Sequence, residues 1–326
     1  MRVIFLDSTD PARNLATEEY LLKHTTGNIF MLWRNEPSII VGRNQNTLAE
    51  INLEYVNEHS IKVIRRLTGG GAVFHDLGNL NYTFIEENST EKFGDYEIFS
   101  RPIIATLKSL GVNAELKGRN DLCIDSLKFS GNAQVAWHNR VMHHGTLLFS
   151  ADVSNMSDAL KVNELKIKSK GIKSVRSHVT NISDHLKTPM TVTQFRDEIA
   201  KTVTTSFDDC QVLPLTDEEN AFIDKLVEDK YGTWEWNFGY NKKYSFFKEV
   251  RFNCGLLQVN MNIDNNIITD IRIEGDYFGR CEVEDFENFM KGTPYNPEAV
   301  RARIDEINID DYFSGTDTQQ FLTAMF

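Results

Sequence analysis

The sequence predicts a mixed α/β fold with a largely antiparallel sheet and flanking helices, followed by a smaller C-terminal α+β domain. Three observations predict it. Helical stripes and alternating strands are intermixed without a βαβα rhythm. Strand segments between residues 121 and 149 follow one another through tight turns at Asp125-Ser126 and His138-Asn139. The 326-residue length exceeds one average domain and suits two.

Taken in order, Asp10-Pro11 reads as an N-cap with proline at the first helical position. The stripe Ala12, Leu15, Ala16 and Leu22 continues that helix. It places Glu19 on the apolar side, either facing a pocket or at the edge of the stripe. Residues 29–33 and 38–41 read as strands around Asn35-Glu36-Pro37. Thr47 with Glu50 has the capping-box pattern, with Leu48, Ile51 and Tyr55 on one face. Lys62-Val63-Ile64 opens a further strand. Leu80, Tyr82 and Phe84 alternate with Asn79, Asn81 and Thr83, the pattern of a half-buried strand. Tyr96, Phe99, Ile103 and Leu107 form a helical stripe ended by Gly111. Segments 191–206 and 216–231 read as helices. The aromatic run 233–245 reads as irregular and marks the domain boundary, giving a catalytic domain over 1–243 and an accessory domain over 244–326. In the latter, 248–260 and 267–273 read as a hairpin turning near Asn265-Asn266, followed by helices at 281–290 and 297–306.

Composition narrows the function. The net charge is -12, which argues against a general nucleic-acid binder. The charge is uneven. Residues 274–326 carry twelve acids and four bases, whereas 161–176 carries six bases and one acid. A basic loop in an acidic protein suggests a specific anionic ligand or partner. No apolar run reaches transmembrane length, and the N-terminus turns acidic too soon for a signal peptide, so no membrane association is expected. Cys123, Cys210, Cys254 and Cys281 lie far apart with no Cys/His cluster, which fits a reduced cytoplasmic setting without structural zinc.

The densest chemical signal is RRLTGGGAVFHDLGNLNYTFI, residues 65–85. Consecutive glycines are costly in entropy and make sense where a ligand approaches the backbone, whose amides can hold phosphate or carboxylate oxygens. The arginines just before them add fork-shaped positive charge. A glycine-rich hairpin turn with surface arginines is the plainer alternative. Neither a P-loop nor a dinucleotide fingerprint is present. In GRNDLCIDSLKFSGNAQVAW (118–137), Lys128 stands between Leu127 and Phe129. It points into a pocket if those two pack outward, and to solvent if they fill the core. His143 and His144 enter an apolar run, as pocket lining or satisfied core histidines. Cys123 lacks an activating neighbour in sequence and reads as a buried thiol.

The segment 65–85 resembles the RRxSGGGxVFHDxGN signature of the lipoate–protein ligases, with Thr68 in place of the usual serine. The resemblance continues through PSIIVGRNQNT (37–47), GRND (118–121), LKFSGNA (127–133), HHGTLLFSADVS (143–154) and KSKGIKSVRSHVTNI (168–182). It covers most of residues 1–240, and the remainder is similar to the family's small accessory domain. It implies the biotin/lipoate-ligase-like fold. It also implies an enzyme that activates lipoate with ATP to lipoyl-AMP, releasing pyrophosphate, and then acylates a lysine of an acceptor protein. The acceptors so implied are apo lipoyl domains of 2-oxoacid dehydrogenases and the glycine cleavage H protein.

By that resemblance Lys128 is the catalytic cation, bridging the acyl carboxylate and the phosphate. Gly69, Gly70, Gly71, Ala72, Val73 and Phe74 would hold the adenylate, with Thr68 in the same substrate- and ATP-binding set, Arg66 nearby for the lipoyl side, and Asp76 and Asn79 organising the loop. Ser130, Gly131, Ala133, His144 and Gly145 would line the pocket. Lys170, Gly171, Val175 and Arg176 would close over the adenylate. Asn120 and Asp121 are the candidates for Mg²⁺ or ribose contacts. Leu15, Val41, Leu80 and Tyr82 are expected as walls for the acyl chain, and octanoate is expected to fit the same slot. Three rivals are weighed: an ATP-independent lipoyl or octanoyl transferase working through Cys123, a biotin ligase, whose usual GRGRxGR-type loop is absent from the sequence, and a non-enzymatic lipoate-binding protein.

Overall fold

The computed structural model describes residues 1–87, 90–152, 158–160, 179–207, 209–239 and 244–326. The first helix, α1 (Pro11–His24), begins where the sequence places it, with the Asp10 side chain accepting from Ala12 N. Around it lies an eight-stranded sheet. Its strands are β1 (Arg2–Phe5), β2 (Ile29–Trp33), β6 (Asn79–Glu87), β7 (Ala114–Lys117), β8 (Asp121–Ile124), β9 (Leu127–Trp137), β10 (Arg140–Leu148) and β11 (Gln211–Val212). The order is β11-β1-β2-β6-β10-β9-β8-β7. β1 runs parallel to both its neighbours, and every other pairing is antiparallel. Asp125, Ser126 and His138 take the left-handed backbone that the two predicted turns require.

One face of this sheet buries Phe30, Leu80, Tyr82, Phe84 and Phe129 under α4 (Tyr96–Ser109) and α5 (Val192–Ser206). The other face packs Met31, Trp33 and Ile85 against Leu15 and Leu22 of α1, and against Ile223 of α6 (Asp217–Leu226). Also on that side lies a small sheet of β3 (Ser38–Val41), β4 (Lys62–Arg65) and β5 (Val73–His75), in the order β4-β3-β5. Being covered on both faces, β6 is buried along nearly its whole length rather than half-buried. Its Asn79, Asn81 and Thr83 turn away from the core toward the cavity side of the sheet.

Two local readings are corrected. Thr47 does not cap a helix. Asn46 precedes the short α2 (Thr47–Glu50), α3 (Leu53–Glu58) follows separately, and the Thr47 hydroxyl donates to Asn237 O at 2.6 Å. Residues 233–239 are not irregular. Thr233 caps α7 (Trp234–Phe238), and Asn237 Oδ1 accepts from Arg65 N. Arg65, buried, donates to the carbonyls of Gly42, Arg43, Gln45 and Trp236 and to the Thr47 hydroxyl. This aromatic run therefore clamps the β3–β4 end of the small sheet.

The C-terminal part builds its own antiparallel sheet of β12 (Phe246–Phe252), β13 (Gly255–Asp264) and β14 (Ile267–Gly275). The run read as one strand over 248–260 breaks at Asn253-Cys254, because Gly255 takes a φ of +132°. Leu257, Val259, Ile271 and Ile273 pack under α8 (Val283–Met290), α9 (Pro297–Ile304) and α10 (Thr318–Met325). This unit touches the first at the glycine loop: Gly70 N donates to Tyr277 O, and Gly275 N to Asn44 O.

Candidate active site

Between the eight-stranded sheet and the β4-β3-β5 sheet lies a cavity of about 170 Å³. Its apolar walls are Leu15, Trp33, Ile40, Val73 and Ala133, and Phe278 of the C-terminal unit also lines it. Leu15 was expected there. Val41, Leu80 and Tyr82 were expected too, but they lie in the cores on other faces. The strand period explains this: Leu80 and Tyr82 share one side of β6, so Asn81 holds the cavity side.

Lys128 lines the cavity because β9 carries a bulge. Leu122 pairs with Ser130 and Cys123 with Lys128, which leaves Phe129 as an extra residue. An extra residue reverses the alternation and re-aims the side chains after it. Phe129 thus sinks into the core while Lys128 shares the cavity wall with Gly131 and Ala133. Both alternatives for its neighbours fail: Phe129 does not point outward, and Lys128 does not leave the pocket. Its Nζ lies 2.6 Å from Asp121 Oδ1, with both side chains partly exposed. The same bulge puts Ser130 outside the cavity lining, where its hydroxyl accepts from Asn132 Nδ2 at 3.3 Å.

The roof is the glycine loop. Arg66 shapes it from beneath, donating to Gly69 O at 2.6 Å, Gly71 O at 2.9 Å, Ile40 O at 3.1 Å and Thr68 Oγ1 at 2.9 Å. Burial pulls its guanidinium down to about 10. Its fork is spent on loop carbonyls, so Arg66 preorganises the backbone more than it reaches for a ligand. Gly70 has a φ of +90°, and a Cβ there would sit 2.8 Å from the Phe278 ring. A Cβ on Gly69 would meet Tyr277 O at 2.4 Å, whereas one on Gly71 would meet nothing. Gly70, Gly71, Ala72 and Val73 line the cavity; Phe74 faces the neighbouring core.

Beneath the loop runs a buried relay. Thr68 Oγ1 lies 2.9 Å from His144 Nε2, and His144 Nδ1 lies 3.0 Å from both oxygens of Glu18. A carboxylate only accepts, so Nδ1 carries a hydrogen toward Glu18, and Nε2 faces the Thr68 hydroxyl. Trp33 Nε1 donates to Thr83 Oγ1, which donates to the same Glu18 oxygen at 2.6 Å. Sequence reading singled out Glu19, one residue away. Glu19 instead meets Lys23, Lys230 and the Tyr231 hydroxyl behind α1. Glu18 and Trp33 carried no signal beyond their places on a helix stripe and a strand.

The remaining residues are placed as follows. Asp76 accepts from Gly78 N, Asn79 N and Asp152 N, fixing the turn that enters β6. Asn79 Nδ2 donates to Asn81 Oδ1. Gly145 sits in β10 where a Cβ would strike Asn132 Oδ1 and the Tyr82 ring. Asn120 lines the cavity and donates to Asn132 O at 2.6 Å. Lys170, Gly171, Val175 and Arg176 lie outside the described residues. Cys123 is buried, and burial with the nearby Asp121 carboxylate pushes its thiol up, away from the thiolate a transferase would use.

A partly open, mostly apolar cavity with one lysine on its wall beside a glycine loop has the shape and charge to take an acid with an apolar chain. Comparison with known proteins makes the class specific. Residues 10–204 match the lipoyl protein ligase A/B catalytic domain, and residues 241–325 match the bacterial lipoate protein ligase C-terminus. Lipoate–protein ligase 1 of Staphylococcus aureus is 44% identical over 97% of both chains. The lipoate-protein ligase LplJ of Bacillus subtilis is 39% identical over 99% of this chain and 100% of its own. Among solved structures, P. falciparum LipL1 in complex with lipoate superposes with a TM-score of 0.80 at 26% identity, covering 94% of this chain and 95% of that one. The chain belongs to the lipoate–protein ligase family.

Proposed function

We propose that this protein is an ATP-dependent lipoate–protein ligase. One observation carries the reading: the bulge in β9 brings the Lys128 ammonium into the same cavity as the glycine loop. Joining a carboxylate to the α-phosphate of ATP forces two anions together. A fixed cation between them lowers that repulsion, and backbone amides preset for the phosphate cost no reorganisation. A carboxylate oxygen attacks the α-phosphorus, the bond to pyrophosphate breaks, and the acyl-adenylate remains under the loop. An acceptor lysine then attacks the acyl carbon, and AMP leaves. The apolar walls suit a lipoyl chain, whose roughly four methylenes contribute about 3 kcal/mol when buried.

The finer assignments belong to the same reading. Mg²⁺ would shield the phosphates. Among the described residues no three His, Cys, Asp or Glu side chains cluster for a metal. Asp121 with Asn120 fits only the mode in which phosphates complete the coordination. The acceptors are apo lipoyl domains of 2-oxoacid dehydrogenases and the glycine cleavage H protein. A solved neighbour, the bipartite lipoate protein ligase of Thermoplasma acidophilum with its E2 lipoyl domain, 26% identical with a TM-score of 0.67, favours the first class. Residues 1–243 form the catalytic domain and 244–326 the accessory one. The family resemblance assigns Lys170, Gly171, Val175 and Arg176 to the adenylate. Among the described residues no helix is long and apolar enough to cross a membrane.

The test is lipoate-dependent ATP/pyrophosphate exchange, followed by weighing an apo lipoyl domain after incubation. Lys128→Ala should lower exchange by ~10²–10³. Exchange near the wild-type rate in that variant would refute the assignment.

A further inference from the structure

We infer that Thr146 is a positioning residue for the activation step: its hydroxyl fixes the backbone of Gly131, and the bare face of Gly131 is the seat of the Lys128 ammonium. This rests on the ligase reading above and deepens it.

The seat follows from the register of the strands. β10 pairs with β9 only as far as Gly145 opposite Asn132, while Thr146 goes on to pair with Asn81 of β6. Gly131 is the first residue of β9 past that point. In place of a β10 carbonyl, its N–H uses the Thr146 side chain, donating to Oγ1 at 3.1 Å, and Gly131 O lies 3.5 Å from the same oxygen. A strand N–H needs a partner, and a β-branched side chain with few rotamers offers a fixed one. Further along, Thr180 N donates to Lys128 O at 2.9 Å, so the stretch from Lys128 to Gly131 is tied at both ends from outside the β9–β10 ladder.

Gly131 in turn touches the ammonium. A Cβ built on it would lie 3.2 Å from Lys128 Nζ and 3.4 Å from Lys128 Cε. Glycine inside a strand weakens it and marks a close approach. Here the approaching group is the lysine head. The Lys128 ammonium therefore rests between Asp121 Oδ1, at 2.6 Å, and the open face of Gly131. Asp121 stands opposite Gly131 in the β8–β9 ladder, so both neighbours hang on one residue pair. Lys128, Gly131 and Thr146 all line the cavity. A long flexible side chain is placed only as well as the surface it rests on, and a misplacement of ~1 Å at a reacting centre costs up to ~10²-fold in rate.

The experiment measures lipoate-dependent ATP/pyrophosphate exchange. Thr146→Val keeps the side-chain shape and removes the acceptor for Gly131 N–H. It should lower kcat by ~10-fold while the KM for lipoate and ATP moves less than about threefold, because the cation acts where the two anions merge. Thr146→Ser keeps the hydroxyl and should recover most of the rate. In the Lys128→Ala background, Thr146→Val should slow exchange no further, since the group it positions is gone. Gly131→Ala carries the same test without touching Thr146: the end of a flexible chain can move aside, so this variant should unfold in urea as wild type does yet lose kcat. Wild-type kcat in Thr146→Val or in Gly131→Ala, a loss that serine does not recover, or a full additional loss on top of Lys128→Ala would overturn the inference and leave the ligase reading standing. Wild-type protein without lipoate-dependent exchange would overturn both.

Discussion

Lys128 Nζ lies 2.6 Å from Asp121 Oδ1, so the ammonium already holds a counter-charge from the adjacent strand before any acid arrives. The pair serves two ends. It fixes the ammonium at the cavity wall, and it sets a competitor that the substrate carboxylate must displace. Both partners are more than a third exposed or close to it, so solvent screening limits the pair to about 0–1 kcal/mol. Asp121→Asn should therefore tighten lipoate binding in the absence of ATP by no more than roughly fivefold. Titration calorimetry at low and high salt measures this. Weaker binding of lipoate alone would show that Asp121 assists the acid rather than competing with it.

Glu18 is the terminus of the buried relay, accepting from both Thr83 and His144. Glutamine at this position keeps one oxygen for Thr83 and His144 but sets an N–H₂ group against the His144 Nδ1–H, where the second carboxylate oxygen accepted at 3.0 Å. One contact must then break, or His144 must change tautomer and release Thr68. Leaving a buried polar group unpaired costs about 1–3 kcal/mol. Glu18→Gln should lose that much in urea unfolding, and the slackened glycine loop should raise the KM for lipoate. A variant as stable as wild type with unchanged KM would remove Glu18 from the support of the loop.

What the sequence showed and hid follows from the geometry of these elements. The helix start at Asp10-Pro11, the strands of 121–149 and the glycine run were legible because caps, periodicity and turns are local. The bulge at Phe129 was not. It depends on how β8 pairs with β9, and alternation alone gives no sign of an extra residue. Asn79, Asn81 and Thr83 read as solvent-facing because a polar cavity and bulk water leave the same period-two pattern. Glu18 was missed for Glu19 since a helical stripe fixes a face only to within a residue. The helix at 234–238 was hidden by its brevity, and its role in holding Arg65 is a long-range contact.

Gly42 belongs to the segment 37–47, outside the glycine run, yet it bounds the same loop. A Cβ at this position would sit 1.9 Å from Gly70 O and 3.3 Å from Arg66 Nη2. Both neighbours are held by other bonds, so the loop must move rather than a flexible side chain. Overpacking of this kind typically costs about 1–3 kcal/mol. Gly42→Ala should lose stability in that range and lose lipoate-dependent exchange more severely, because the shifted loop no longer presents its amides. Gly71→Ala, where a Cβ meets nothing within 4 Å, is the control and should stay within about 0.5 kcal/mol of wild type in stability. Equal losses in the two variants would mean the crowding at Gly42 is relieved elsewhere.

The accessory unit carries a pH dependence of its own. Glu287 on α8 is buried, accepts from Ile273 N at 2.7 Å, and faces Arg272, with Glu284 adding like charge. Burial pushes its carboxyl up to about 7, against an ordinary value near 4.5, and Arg272 only partly offsets this. Between those two values the folded chain binds a proton that the unfolded chain has released. Stability from this group is thus fully present below about 4.5 and is lost as the pH rises through 7. The shift corresponds to roughly 3 kcal/mol as an upper bound. Urea unfolding at pH 5, 6.5 and 8 should show wild type losing stability relative to Glu287→Gln, whose neutral amide still accepts from Ile273 N. The gap between the two proteins should open with rising pH and be largest at pH 8. Parallel curves for the two would mean that Glu287 stays ionised in the folded chain, with Arg272 fully compensating its burial.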